Sequence, residues 1–139
     1  MSVQRTLCII KPDAVEKRKQ GAIIQHLLDE DFKVIAMQQI QLSQTQAEGF
    51  YAVHNERPFF GELVEFMTRS PVVVIALERE DAIAHYRKVI GATNPKDAAD
   101  GTIRKLYGTD IGENAVHGSD SEENGLIETN YYFKGHELL

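Results

Sequence analysis

The 139-residue sequence predicts an α/β fold of the ferredoxin-like kind, an antiparallel sheet forming a sandwich with helices packed on one face. Three observations lead there. Thr6-Leu7-Cys8-Ile9-Ile10 and Val72-Val73-Val74-Ile75-Ala76-Leu77 are continuous apolar runs, as expected of buried central strands. The segments between them carry apolar residues at helical spacing. The order reads strand, helix, strand, helices, strand, helix, strand, which suits helices layered on a sheet.

Taken in order, the first strand ends at Lys11, and Pro12 opens a helical turn because its missing N–H is not needed there. Gly21 precedes a helix with Ile23, Ile24, Leu27 and Leu28 on one face. Phe32, Val34, Ala36, Ile40 and Leu42 broadly alternate with polar residues, the pattern of a half-exposed strand. Ser43 is placed to cap a helix over 44–53, and Pro58 to start another with Phe60, Leu63, Val64 and Met67 inward. Pro71 opens the second buried strand. Ala82, Ile83, Tyr86, Val89 and Ile90 then form an amphipathic stripe. Residues 91–101 hold the turn signals Gly91, Asn94-Pro95 and Asp100-Gly101. A short helix near 102–107, a short strand near 115–117, a polar helix start at 119–122 and a last edge strand near 131–133 complete the chain.

Residues 1–139 read as a single domain without repeats or linkers. Hydrophobic residues make up 42% and charged residues 26%, ordinary for a globular protein. No apolar run approaches the ~20 residues of a membrane span, and no secretory leader is evident, so a cytoplasmic protein is expected. Cys8 is the lone cysteine and reads as a small buried hydrophobe. A net charge of −6 argues against general nucleic-acid binding, which needs a basic stripe. Lys17-Arg18-Lys19 is the one dense basic cluster, and it reads as a solvated turn.

The chemistry concentrates in Asn114-Ala115-Val116-His117-Gly118-Ser119-Asp120. A neutral imidazole can attack phosphorus without first losing a proton, giving a phosphoramidate that retains its transfer potential. Gly118 would let a phosphate approach the backbone, and Asp120 would cap the next helix. Taken alone, the segment also fits a histidine with a structural hydrogen bond. Glu128 could orient the ring, directly or through Ser119. Arg87 and Arg104 offer fork-shaped donors for phosphate oxygens, and Thr93 offers a hydroxyl in the same region. Taken singly, each arginine reads more readily as a solvated surface group. Lys11, stiffened by Pro12 at a strand end, could hold an ammonium at the site or lie along the surface. Phe59 is surplus to its helix stripe and could stack on a nucleobase or simply pack beside Phe60. The sequence has neither GxxxxGK[ST] nor GxGxxG, so phosphate binding would fall to side chains.

These segments resemble the nucleoside diphosphate kinase family. Ile10-Lys11-Pro12-Asp13-Ala14-Val15 is similar to its opening strand and turn, and Arg57-Pro58-Phe59-Phe60 to its nucleotide-gripping helix start. Gly91-Ala92-Thr93-Asn94-Pro95 with Gly101-Thr102-Ile103-Arg104 is similar to its phosphate loop, and 114–120 to its active-site signature. The resemblance runs from about Arg5 to Phe133 and leaves the tail 134–139 outside the recognisable pattern. It implies transfer of the terminal phosphoryl group from a nucleoside triphosphate, typically ATP, to a nucleoside diphosphate. The cycle would be ping-pong through phosphorylated His117 and would maintain triphosphate pools.

The resemblance also implies roles. Lys11 and Asn114 would contact the sugar hydroxyl and nearby phosphate, and Tyr51 and His54 would line the phosphate side. Arg87, Thr93 and Arg104 would bind phosphates. Phe59 would stack on one face of the base, with Ile111 a candidate for the other. Ser119 and Glu128 would orient His117. Mg²⁺ would be held mainly by the nucleotide's phosphates and water, with no dedicated protein ligands. A homo-oligomer built from dimers, tetramer or hexamer, is implied as well. Asp31, Ser70 and Arg79 stand where glycine is common in the family, and Thr129 where an aliphatic residue is usual. Two other readings compete. One is a nucleotide-binding module without turnover on the same sandwich; the other is a nucleic-acid binder using an exposed sheet face.

Overall fold

The computed structural model describes residues 2–139. Four antiparallel strands form one sheet in the order β2-β3-β1-β4: β1 Val3–Ile10, β2 Lys33–Ile40, β3 Val72–Glu80 and β4 Val116–His117. The helices are α1 Pro12–Glu16, α2 Gln20–Asp29, α3 Gln44–Phe50, α4 Phe60–Thr68, α5 Ala82–Ile90, α6 Ile103–Tyr107 and α7 Glu122–Tyr132. Short 3-10 turns lie at Ala52–His54, Pro95–Asp97 and Gly135–Glu137.

The two apolar runs pair at the centre, with Cys8 opposite Ile75 and Ile10 opposite Val73. Alternate residues therefore face opposite sides. Cys8, Ile10, Val73, Ile75 and Leu77 meet Ile23 and Leu27 of α2 and Tyr86, Val89 and Ile90 of α5. Leu7, Ile9, Val72, Val74 and Ala76 meet Ala47 of α3, Val64 and Met67 of α4, and Phe133. Helices thus cover both faces, not the one face expected. The reason lies in the runs themselves: neither β1 nor β3 alternates with polar residues through its centre, so each needs cover on both sides. The nucleic-acid reading loses its exposed sheet face by the same observation.

Three local expectations are corrected. The edge strand expected near 131–133 is the end of α7, with Phe133 extended just beyond it. Ser121, not Asp120, caps that helix, accepting from Asn124 N at 3.0 Å, and Glu122 and Glu123 favour its positive end. In β2 the alternation breaks at a bulge between Val34 and Ala36. Phe32 and Val34 serve one core, while Ile35, Ala36 and Ile40 serve the other.

Other expectations stand with small shifts. Ser43 caps α3 in a full capping box with Gln46. The helix after Pro58 begins at Phe60. Lys17, Arg18 and Lys19 are exposed. Of the residues standing where glycine is common, only Asp31 has positive φ, at 66°. The tail also docks: Leu138 packs against the second core and Leu139 N donates to Ile35 O at 3.0 Å. Among the described residues no helix is long and apolar enough to cross a membrane.

Candidate active site

The site is built where the edge strand β4 leaves β1. His117 pairs with Ile9, which lifts its ring from the end of a central strand. The preceding turn is strained, because Ala115 has φ 75°. It is held by Lys11 N, which donates to Ala115 O at 2.8 Å, and by the buried Asp13 carboxylate, which accepts from Ala115 N at 3.1 Å. Tyr86 OH donates to His117 O at 2.6 Å.

His117 keeps 19% of its side-chain surface open. Its Nε2 lies 2.8 Å from Glu128 Oε1. A carboxylate can only accept, so the ring donates from Nε2 and Nδ1 keeps its lone pair. Among the described residues Nδ1 has no hydrogen-bond partner. Glu128 projects from α7 and contacts the ring directly, without Ser119 between them. Ser119 stands behind the carboxylate, donating to Glu128 Oε1 at 2.6 Å while accepting from Leu7 N at 3.1 Å. The Phe50 ring meets His117 edge-on at 5.5 Å between centroids.

Tyr51, His54, His117 and Glu128 line one cavity of about 390 Å³, with Asp120 among its walls. Tyr51 is nearly buried, and burial together with the Glu128 charge raises its pKa, so the phenol stays neutral. Arg87, Thr93 and Arg104 line a second cavity of about 360 Å³. Arg104 is buried. It donates from Nη1 to Gly91 O at 3.1 Å and from Nη2 to Val116 O at 2.9 Å, while Nε has no partner. Its guanidinium therefore braces the loop as well as facing the cavity. Asn114 is also buried; its Oδ1 accepts from Lys11 Nζ at 2.8 Å and its Nδ2 donates to Thr93 O at 3.0 Å. Burial, then the Arg104 charge, lowers the Lys11 ammonium from 10.5 to about 8, against the pull of Asp13.

Phe59 and Ile111 line neither cavity. Both are exposed, and the Phe59 ring lies 5.7 Å from that of His54. Gly118 is explained differently from the sequence reading. A Cβ there would strike the Tyr86 ring, so close packing already demands glycine. Sequence reasoning passed over Asp13, Phe50 and Tyr86. Asp13 had a signal, since it belongs to the same Lys11-Pro12-Asp13 turn. Tyr86 reads as one member of a core-facing stripe, and Phe50 carries no signal beyond its place in the helix over 44–53.

The nucleoside diphosphate kinase family model matches residues 4–138. The chain belongs to the nucleoside diphosphate kinase family. It is 59% identical over 138 residues to the nucleoside diphosphate kinase of Sorangium cellulosum, covering 99% of this chain and 96% of that one. It is 57% identical over 139 residues to that of Novosphingobium aromaticivorans, covering 100% and 99%. The crystal structure of the Aquifex aeolicus nucleoside diphosphate kinase superposes with a TM-score of 0.97 at 45% identity, covering 99% of this chain and 100% of that one. The Halobacterium salinarum enzyme in complex with CDP gives 0.94 at 36%, covering 99% and 92%. Like its nucleoside diphosphate kinase relatives, this chain is an enzyme that transfers the terminal phosphoryl group of a nucleoside triphosphate to a nucleoside diphosphate. The ping-pong cycle that maintains triphosphate pools is the general function of the family.

Proposed function

We propose that His117 carries the phosphoryl group on Nδ1, between a donor triphosphate and an acceptor diphosphate. The observation that carries this reading is the Nε2–Glu128 contact, which leaves Nδ1 with its lone pair and part of the ring open. Nδ1 attacks the γ-phosphorus, an N–P bond forms, and the bond to the β–γ bridging oxygen breaks to release diphosphate. Positive charge grows on the ring as this happens, and Glu128, steadied by Ser119, stabilises it. A second diphosphate then takes the group from Nδ1 by the reverse displacement. Charge neutralisation and positioning supply most of the catalysis in such transfers. Lys11, Arg87, Arg104 and Thr93 serve the phosphates here, Asn114 and Lys11 the sugar hydroxyl, and Tyr51 and His54 the phosphate side of the cavity. Phe59 and Ile111 take the two faces of the base. Stacking without edge-reading hydrogen bonds tolerates any base.

Mg²⁺ fits this set. Among the described residues no group of three His, Cys, Asp or Glu stands ready to hold a metal. A hard cation would then be held by phosphate oxygens and water, and it supplies neutralisation of the polyphosphate charge. Asp120, in the wall of the His117 cavity, is the exposed carboxylate on that side. We further propose a single-domain cytoplasmic enzyme that assembles from dimers into a tetramer or hexamer.

The test is a phosphoenzyme assay with labelled ATP, chased by several diphosphates. The expected product is acid-labile and alkali-stable. His117→Ala should still bind nucleotide but transfer nothing. Transfer by that variant at an appreciable fraction of the normal rate would remove His117 as the carrier.

A further inference from the structure

Arg69 follows the last residue of α4 and lies outside both cavities. Its Nε and Nη2 donate to the two oxygens of Glu16 at 2.9 and 2.7 Å, and Nη2 also reaches Glu113 at 3.0 Å. Ser70 Oγ adds a bond to Glu16 at 2.6 Å. Its backbone is not left-handed, so a serine in place of the family's common glycine costs no strain and contributes a donor. The next residue of α1's end joins in, with Lys17 Nζ donating to Thr109 Oγ1 at 2.7 Å and to Tyr107 O at 3.3 Å. These contacts grip a turn that is already stiff. Asp110 Oδ1 accepts from Gly112 N and Glu113 N, and Thr109 N donates to Glu113 O at 2.8 Å. Ile111 sits at the tip of that turn, and Asn114 follows Glu113 directly.

We infer that Arg69, with Glu16, Ser70 and Glu113, is a positioning clasp that fixes the turn carrying Ile111 relative to the helix that starts beside Phe59, and thereby sets how tightly the base is held. This rests on the proposed base contacts of Phe59 and Ile111. The side chains of Arg69, Glu16 and Glu113 are about two-fifths exposed, and a lone pair there would contribute little. Here one bidentate guanidinium joins two carboxylates from separate elements, so losing it opens the Glu16 and Glu113 links together, leaving only the Ser70 and Lys17 contacts. The same contacts hold the Glu16 carboxyl below its usual range. Arg69 touches none of the groups assigned to phosphoryl transfer.

The test compares ADP with inorganic tripolyphosphate, which has no base, on wild type, Arg69→Gln, Arg69→Lys and Phe59→Ala. Arg69→Gln should weaken ADP binding about three- to tenfold, keep tripolyphosphate within about twofold and leave kcat at saturating nucleotide unchanged. Arg69→Lys, which retains the charge but not the fork, should recover part of the loss. Equal losses on both ligands, or none, overturn the clasp. If Phe59→Ala itself leaves ADP binding intact, the base-stacking reading fails and takes the inference with it. A loss in Phe59→Ala without one in Arg69→Gln overturns the clasp alone.

Discussion

Lys11 is under opposing demands. Phosphate binding favours its charge, while burial beside Arg104 disfavours it, bringing its pKa from 10.5 to about 8. Between those values the unfolded chain binds more protons than the folded one. This group therefore adds stability as pH rises from about 8 towards 10.5, and below about 8 its charge weighs fully against folding. Nucleotide affinity should move the opposite way, falling as the cation is lost. Melting temperatures of nucleotide-free wild type and Lys11→Gln, measured from pH 7 to 10, should diverge in favour of wild type as ADP binding weakens. A pH-independent difference would refute the lowered pKa. At this scale the sequence was informative where a residue type is itself reactive: His117, Glu128 and Ser119 are joined by hydrogen bonds, and Lys11 bonds Asn114. It was silent on Phe50 and Tyr86, whose places at the His117 ring come from contacts with residues far along the chain.

Among the elements, α7 decides the geometry of Glu128, and Gly125 decides how close α7 lies to β1. A Cβ at Gly125 would run into the carbonyl oxygen of Arg5. Gly125→Ala should push the helix off the sheet, costing about 1–3 kcal/mol, and should lower kcat because Glu128 retreats from His117. Chemical denaturation and steady-state kinetics read the two effects. Unchanged kcat in a destabilised variant would show that the carboxylate does not depend on this packing. The sequence marked only a polar start for this helix and missed its run to Tyr132, because its buried face is made of Gly125 and Thr129, with no apolar stripe to give the period. The helices α2, α4 and α5 were legible because theirs is apolar. The bulge in β2 was hidden as well, since Phe32, Val34 and Ala36 keep a regular spacing while the backbone turns them to different faces.

For the whole molecule, the two buried strands announced the sheet, and their lack of alternation carried the further message that both faces are covered. The two cavities lie at the margins of that double cover. His117, in β4, opens into the one lined by the end of α3 and its 3-10 extension, while Arg87 and the 91–104 loop line the other.

The lone thiol gives this architecture a built-in stopwatch. Cys8 is wholly enclosed in the central strand, and burial pushes it up to about 12. A maleimide or disulfide reagent can meet it only when the sheet comes apart, so its rate of alkylation times global opening. Nucleotide at a hundredfold excess over its Kd should slow that rate about a hundredfold. Rapid alkylation of the native enzyme, indifferent to ligand, would mean that the middle of the sheet breathes without unfolding.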